Sequence, residues 1–145
     1  MSATKVIRFF YEELDVFKIS NPLITKKWLL LIANGENQKI EGINYVFCND
    51  EYLYKINLEY LNHDTYTDIV TFDNSEEEDR IEGDIFISVD RVKENAITNN
   101  TAFKEELKRV MAHGLLHLFG YNDKTADEQK VMRKKEEACL SLYKN

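Results

Sequence analysis

The pattern of apolar and polar residues divides the chain into four predicted strands and five predicted helices. Alternation of apolar and polar residues is typical of a strand, and apolar residues every three or four positions are typical of a helix. The predicted strands cover residues 6–11, 43–47, 67–72 and 84–89. The predicted helices cover residues 21–35, 50–60, 90–97 and 101–118, and the last begins at Thr125, where T-A-D-E places Glu128 at the capping-box position.

Helices and strands alternate along the chain, but the third and fourth strands bracket a short acidic segment as a hairpin would. Because one hairpin interrupts the β-α-β rhythm, we predict an α+β fold in which a mixed four-stranded sheet is packed with helices. Residues 1–145 are expected to form a single domain, since the chain has the usual length of one and shows no repeat or linker. The last helix is expected to bury Val131, Met132, Leu140 and Leu142.

Composition indicates a protein with a full apolar core. The 145 residues are 43% hydrophobic, and no stretch is apolar for the roughly 18 residues that a membrane span needs. The first ten residues lack the basic head and the apolar core of a signal peptide. Cys48 and Cys139 fit no metal-binding or redox spacing, so we expect both to be reduced, buried thiols in a cytoplasmic protein.

The net charge of −7 argues against a protein that coats nucleic acid without specificity, but it does not exclude an RNA substrate. Part of the acidic excess lies in SEEEDR, residues 75–80, which we expect to be a solvated loop. The last helix carries a basic cluster of Lys130, Arg133, Lys134 and Lys135. This cluster is either a phosphate contact or an ordinary exposed helix face, interleaved with Glu136 and Glu137.

Two histidines and an aspartate are spaced as metal ligands in the segment MAHGLLHLFGYND. His113 and His117 are four residues apart, so on a helix their imidazoles stand on one face and reach one ion. Gly120 stands where a residue with positive φ ends a helix and turns the chain back, so that Asp123 can join them. Three protein ligands with the fourth position left to water are typical of a catalytic zinc centre. The histidines could instead be core residues, and Asp123 a turn residue in YNDKT.

The residue after the first histidine is Gly114, where a zincin protease has the glutamate that acts as general base. Peptide hydrolysis by that mechanism is therefore unsupported. HGLLHLFGYND instead resembles H-G-x-L-H-L-x-G-Y-D-H, the signature of the YbeY family of metal-dependent endoribonucleases. INLEYLNHDTYTDIVTF, residues 56–72, resembles that family's L-N-x-x-Y-R-x-x-D-x-x-T-D-V-L-S-F, and EGDIFI, residues 82–87, resembles the G-D-I strand that follows.

This resemblance implies a zincin-like central metal helix and one zinc ion per chain. It also implies a single-strand-specific endoribonuclease that matures the 3′ end of the 16S ribosomal RNA and takes part in ribosome quality control. The expected partners are therefore ribosomal RNA and the small ribosomal subunit.

Two positions depart from the family pattern. Asp123 aligns with the third histidine, and an anionic ligand leaves a bound water less acidic than three neutral imidazoles do. Two histidines and a carboxylate suit zinc and equally iron, manganese or nickel. Leu61 takes the place of an arginine whose guanidinium would hold a phosphate, and His63 is the nearby side chain that could donate instead.

Asp68 is the second candidate catalytic residue beside His63. It would line the cleft between the metal helix and residues 62–68, or hold the tautomer of a metal-binding histidine, as Asp84 also could. A Thr67-Asp68 pair at the start of a strand is equally a common turn device. We expect a metal-dependent endoribonuclease. The alternatives are a metallohydrolase of another substrate class and a ribosome-assembly factor with a mainly structural metal.

Overall fold

All nine predicted elements are present in a computed structural model of the protein, which describes residues 3–144. A short 3-10 helix, Ala3–Val6, precedes the first strand. The strands are β1 (Ile7–Glu12), β2 (Lys39–Cys48), β3 (Ile69–Asp73) and β4 (Arg80–Ser88). The helices are α1 (Pro22–Gly35), α2 (Asp50–Leu61), α3 (Val89–Thr98), α4 (Phe103–Leu118) and α5 (Ala126–Ser141). The largest differences from the sequence prediction are at β2 and β4, which each begin four residues earlier than expected.

The four strands form one mixed sheet in the order β1-β2-β4-β3. β1, β2 and β4 are parallel, and β3 runs antiparallel to β4, to which it is joined by the predicted acidic hairpin. The register places Ile7 of β1 beside Ile43 of β2, and Ile43 beside Gly83 of β4. The α+β prediction is therefore confirmed, with a single antiparallel strand at one edge of the sheet.

Helix α4 packs across the sheet and contributes its apolar face to the main core. Leu115 and Leu116 are fully buried, and Ile85 of β4 is equally inaccessible beneath them. The hydroxyl of Tyr45 on β2 donates to the carbonyl of Met111 at 2.8 Å, which satisfies two buried polar groups and ties the helix to the sheet. The predicted metal helix is thus held on its apolar side, and its C-terminal end carries the histidines.

Helix α5 begins at the expected capping box, in which the Thr125 hydroxyl accepts from the Glu128 backbone and the Glu128 side chain accepts in return. The prediction of its buried face is partly wrong, because Val131 is 48% exposed and Leu142 is 40% exposed. The buried residues of the helix are Met132, Glu136 and Cys139. This stripe follows the spacing i, i+4, i+7; Met132 and Cys139 pack in the apolar core, and Glu136 is buried among them because it is bonded to His113 and Arg109 of α4.

Cys48 and Cys139 are both buried and unpaired, as predicted. Burial raises the pKa of the Cys48 thiol to about 12 and that of Cys139 to about 11, so both are neutral at physiological pH. Between residues 3 and 144, no helix combines the length and the apolar character that crossing a membrane requires.

Candidate metal centre

The end of α4 fixes the positions of both histidines relative to the chain that follows. Gly120 has a φ of 106°, a conformation that residues with a Cβ rarely adopt, and the chain reverses there. The Gly120 N–H donates to the carbonyl of His117 at 3.0 Å, and the Tyr121 N–H donates to that of Leu116 at 3.1 Å. These two bonds are those of a Schellman motif, which satisfies the last carbonyls of the helix. The turn then brings Asp123 back towards the histidines.

His113, His117 and Asp123 converge on one point, as the sequence spacing predicted. The two Nε2 atoms are 2.9 Å apart, and Oδ2 of Asp123 lies 3.2 Å from Nε2 of His113 and 3.5 Å from Nε2 of His117. Ligand atoms held about 2.0–2.1 Å from a tetrahedral zinc ion are about 3.3 Å from one another. The three ligand atoms therefore have the separations that a single ion of this size requires.

The Nδ1 atom of each imidazole is already hydrogen-bonded to an oxygen of the protein. Nδ1 of His117 lies 2.9 Å from the carbonyl oxygen of Tyr121, which can only accept, so this Nδ1 carries the proton. Nδ1 of His113 lies 2.5 Å from Oε2 of Glu136, a carboxylate oxygen. In the neutral rings both Nε2 atoms are consequently lone-pair acceptors facing a third acceptor, Asp123. Three acceptors at such distances repel one another unless a cation stands between them, so the donor set fits a metal ion.

Glu136 is the residue at this site that sequence reasoning missed, since its place among lysines and another glutamate predicts an exposed helix face. It is 2% exposed and connects His113 to a buried ionic network. Its Oε1 accepts from Nη1 of Arg109 at 3.0 Å, and the Arg109 guanidinium also donates twice to Glu106, which is 1% exposed. The carboxylate of Glu136 thus holds the tautomer and orientation of the first histidine, and Arg109 holds the carboxylate.

The charges of this network set the protonation of its members. Burial raises the pKa of Glu136, but the bonds from His113 and Arg109 lower it more, so the carboxyl is ionised at neutral pH. Burial lowers the pKa of His113, whereas the bond to Glu136 and the charges of Glu136, Asp123 and Asp68 raise it, with a net increase. The site therefore favours a positive charge between its acceptors, which a metal ion supplies as well as a proton does.

Gly114 is buried where α4 crosses the sheet, and its α-carbon faces away from the ligands. A Cβ at this position would lie 2.8 Å from Cδ1 of Ile69 and 3.0 Å from Cγ2 of Ile85. Real Cβ atoms essentially never approach another atom at the shorter distance. A side chain at the position that carries the general base in zincins would thus point at β3 and β4 and displace Ile69.

The other candidate residues lie on neighbouring elements. His63 follows α2 and is exposed, and its backbone N–H donates to the carbonyl of Asn57 at 3.2 Å. Oδ2 of Asp68 accepts from Nδ2 of Asn95 at 3.1 Å, and the Asp68 charge acts on His113. Asp84 accepts from Asn44 at 2.9 Å. The hypothesis that Asp68 or Asp84 holds the tautomer of a ligand histidine is wrong, because Glu136 and the Tyr121 carbonyl occupy both Nδ1 atoms.

The basic residues of α5 have different surroundings in the structure. Nζ of Lys135 donates to Oε2 of Glu36 at 2.8 Å and lies over the ring of Tyr121. Arg133 instead lines an open cleft of about 220 Å³ beside the metal ligands. The cleft is lined by Arg109, His113, Asp123, Gln129, Met132, Arg133 and Glu136. Among Lys130, Arg133, Lys134 and Lys135, only Arg133 belongs to this cleft.

Comparison with known proteins finds relatives along nearly the whole chain. The family model described as "Endoribonuclease YbeY" matches residues 11–144. The Endoribonuclease YbeY of Cytophaga hutchinsonii is 53% identical over 136 residues, which cover 94% of this chain and 95% of that protein. That of Christiangramia forsetii is 50% identical over 134 residues, 92% of each chain. A solution structure of a Thermotoga maritima protein matches with a TM-score of 0.65 at 25% identity, covering 93% of this chain and 88% of that one.

Proposed function

This chain belongs to the YbeY family of endoribonucleases, and we propose that it is a metal-dependent endoribonuclease that cleaves single-stranded ribosomal RNA. The observation that carries the metal dependence is the convergence of His113, His117 and Asp123, whose ligand atoms lie 2.9–3.5 Å apart. We propose zinc as the ion, one per chain, although the same donors bind other divalent transition metals. The proposed substrate is the 3′ end of the 16S RNA within the small ribosomal subunit, in the cytoplasm.

When bound, a divalent ion supplies Lewis acidity, which stabilises negative charge on a phosphate and lowers the pKa of a water molecule. The side chains of the site orient the ion and set the net charge around it. His113 and His117 direct Nε2 lone pairs at the ion, because their Nδ1 protons are held by Glu136 and Tyr121. Asp123 contributes a negative charge that limits the net charge of the site. These three side chains would hold the ion and would leave a position for substrate or water, which is typical of catalytic centres.

His63 and Asp68 are the proposed catalytic residues outside the metal ligands. Asp68 acts electrostatically on His113, and its carboxylate is oriented by Asn95. In this proposal Asp68 accepts a proton from the attacking water, and His63 donates to the phosphate or to the leaving oxygen. Asp68→Asn and His63→Ala should each lower kcat by about a hundredfold while the bound zinc stays at one per chain. Unchanged kcat in either variant would remove that residue from the mechanism.

The endoribonuclease proposal is tested with two fluorescent RNAs, a single strand that copies the 3′ end of the 16S RNA and the same strand in a duplex. The zinc-loaded protein should cleave the single strand internally and leave the duplex intact. A chelator should stop cleavage, and added zinc should restore it. His117→Ala should lose both the ion, measured by elemental analysis, and the cleavage. Lys134→Gln, which removes an exposed charge of α5 outside the cleft, serves as the matched control.

Two results would contradict the proposal. Full metal occupancy in His117→Ala would show that the ion is bound elsewhere. Cleavage by wild-type protein that is equally fast after the metal has been removed would show that the reaction does not depend on the centre. A wild-type protein that binds one ion but cleaves neither RNA would instead leave the metal structural, as in the assembly-factor alternative.

A further inference from the structure

Leu61, which lies at the end of α2 and is 38% exposed, stands where the family's sequence pattern has an arginine. A leucine can neither donate a hydrogen bond nor carry charge, so the scissile phosphate needs a different cation. We infer that Arg133 of α5 is the residue that contacts the phosphate of the RNA beside the metal centre. This inference rests on the proposed function and assigns one more residue to the same site.

Arg133 shares one face of α5 with other residues that line the cleft beside the metal ligands. Gln129, Met132, Arg133 and Glu136 have the spacing i, i+3, i+4, i+7, which places them on one face of the helix. All four line the same cleft as His113 and Asp123. Met132 and Glu136 are buried at its base, whereas Gln129 and Arg133 are exposed at its rim. A substrate that reaches the metal ligands through this cleft therefore passes Arg133.

The two guanidinium groups in the cleft, those of Arg109 and Arg133, differ in their partners. Arg109 is fully engaged, because it donates to Glu106 and to Glu136. Its charge is neutralised by two buried carboxylates and is not available to a ligand. Arg133 is exposed, and no carboxylate of residues 3–144 lies within ion-pair distance of it. A planar fork of five donors remains free at the entrance to the site, which is the group best suited to hold a phosphate bidentately.

The charge of the cleft depends on Arg133. With neutral histidines, Arg109 and Arg133 stand against three carboxylates, those of Asp123, Glu136 and the Glu106 to which Arg109 is bonded, so the formal charge of the cleft and its buried network is −1. A divalent ion raises this charge to about +1 with Arg133 present and to about 0 without it. Although the whole chain carries −7, the cleft itself then attracts a phosphodiester. Lys135 cannot replace Arg133, since its ammonium is bonded to Glu36.

The test compares Arg133→Gln and Arg133→Lys with Lys134→Gln, which removes the same charge from the adjacent exposed position, about 100° further around the helix. The zinc-loaded variants are assayed on the single-stranded RNA, and binding is measured by fluorescence anisotropy at several salt concentrations. Arg133→Gln should lower kcat/KM by roughly 10- to 100-fold with unchanged zinc content. The slope of log K against log salt should fall by about 0.7, the value for one phosphate contact on a single strand.

Arg133→Lys should recover part of the lost binding but less of kcat, because an ammonium restores the charge without the bidentate geometry. Lys134→Gln should stay within about twofold of wild type in kcat/KM, as expected for a charge outside the cleft. Equal effects of Arg133→Gln and Lys134→Gln would overturn the inference while leaving the endoribonuclease proposal intact. If the wild-type protein cleaves no RNA, the proposed function fails. The phosphate contact is then tested by RNA binding alone, and a slope of log K against log salt that is the same in Arg133→Gln and wild type overturns it.

Discussion

Replacing Glu136 by glutamine is expected to weaken metal binding although every metal ligand remains in place. The carboxylate serves two donors at once, Nδ1–H of His113 at 2.5 Å and Nη1 of Arg109 at 3.0 Å. A glutamine has the same shape but only one acceptor atom at its amide end. If its oxygen accepts from His113, its NH₂ group faces the Arg109 guanidinium, and two donors meet. Glu136→Gln can therefore satisfy the histidine or the arginine, but not both.

The size of the effect follows from these two contacts. Loss of a group that orients a metal-binding histidine costs 10- to 100-fold in metal affinity, or about 1.4–2.7 kcal/mol. The unsatisfied donor of Arg109, whose side chain is 20% exposed, is expected to lower the free energy of unfolding of the metal-free protein by about 1–3 kcal/mol. Glu137→Gln removes the same charge from the next, exposed position and should change neither quantity by more than about 0.5 kcal/mol.

Zinc affinity is measured by competition with a chromophoric chelator at fixed pH, and stability by urea unfolding after exhaustive metal removal. Both readouts are independent of RNA cleavage, so the test does not depend on the substrate. A dissociation constant for Glu136→Gln equal to that of wild type would refute the role assigned to the carboxylate. A weakened affinity with unchanged stability would show that the glutamine amide turns towards the arginine and leaves His113 without its acceptor.

Three further predictions concern the turn, an ion pair and the thiols. Gly120→Ala, whose φ of 106° strains any Cβ, should lower the free energy of unfolding by about 1–3 kcal/mol in urea titrations, whereas Gly35→Ala, with open space and no such φ, should not. Burial raises the pKa of Glu36, but the hydrogen bonds of the carboxylate to a lysine and a tyrosine lower this pKa more. The ionised carboxylate therefore stabilises the folded state above the ordinary pKa of 4.5, and this stabilisation is lost as the pH falls through the pKa of the folded state. The difference in stability between wild type and Glu36→Gln should therefore be largest at pH 7 and shrink as the pH falls below 4.5, and a constant difference would contradict this. Cys48 and Cys139, with pKa values raised to about 12 and about 11, should react with a thiol reagent at pH 8 only after unfolding, so rapid labelling of folded protein would contradict their burial.

The metal ligands could be predicted from the sequence because they lie close together along the chain. Two histidines four apart on a helix, a glycine three residues later and a carboxylate just beyond it fall within eleven residues, where helix and turn rules decide the positions. The strand order β1-β2-β4-β3 was not predicted, because the pattern of apolar residues does not specify which strands are neighbours.

Glu136 was missed because its partners lie on another helix. In the sequence it stands among lysines and glutamates, and exposed charge is the ordinary interpretation of such a segment. The available signal was its position between Met132 and Cys139 at the spacing of a buried stripe, which places a carboxylate on the apolar side of the helix. A charge there requires a buried partner, and the partners, His113 and Arg109, are set by the packing of α5 on α4.

The closed environment of Gly114 bears on how enzymes with this arrangement of histidines can diverge. One codon change would place the protease glutamate at this position, yet the new side chain would meet Ile69 and Ile85 before it reached the ligands. To accommodate it, the terminal methyl of Ile69 would have to turn aside and Ile85 would have to give by a few tenths of an ångström. A glutamate at position 114 would therefore point into the sheet rather than towards His113, His117 and Asp123, and the substitution alone would not create the zincin arrangement.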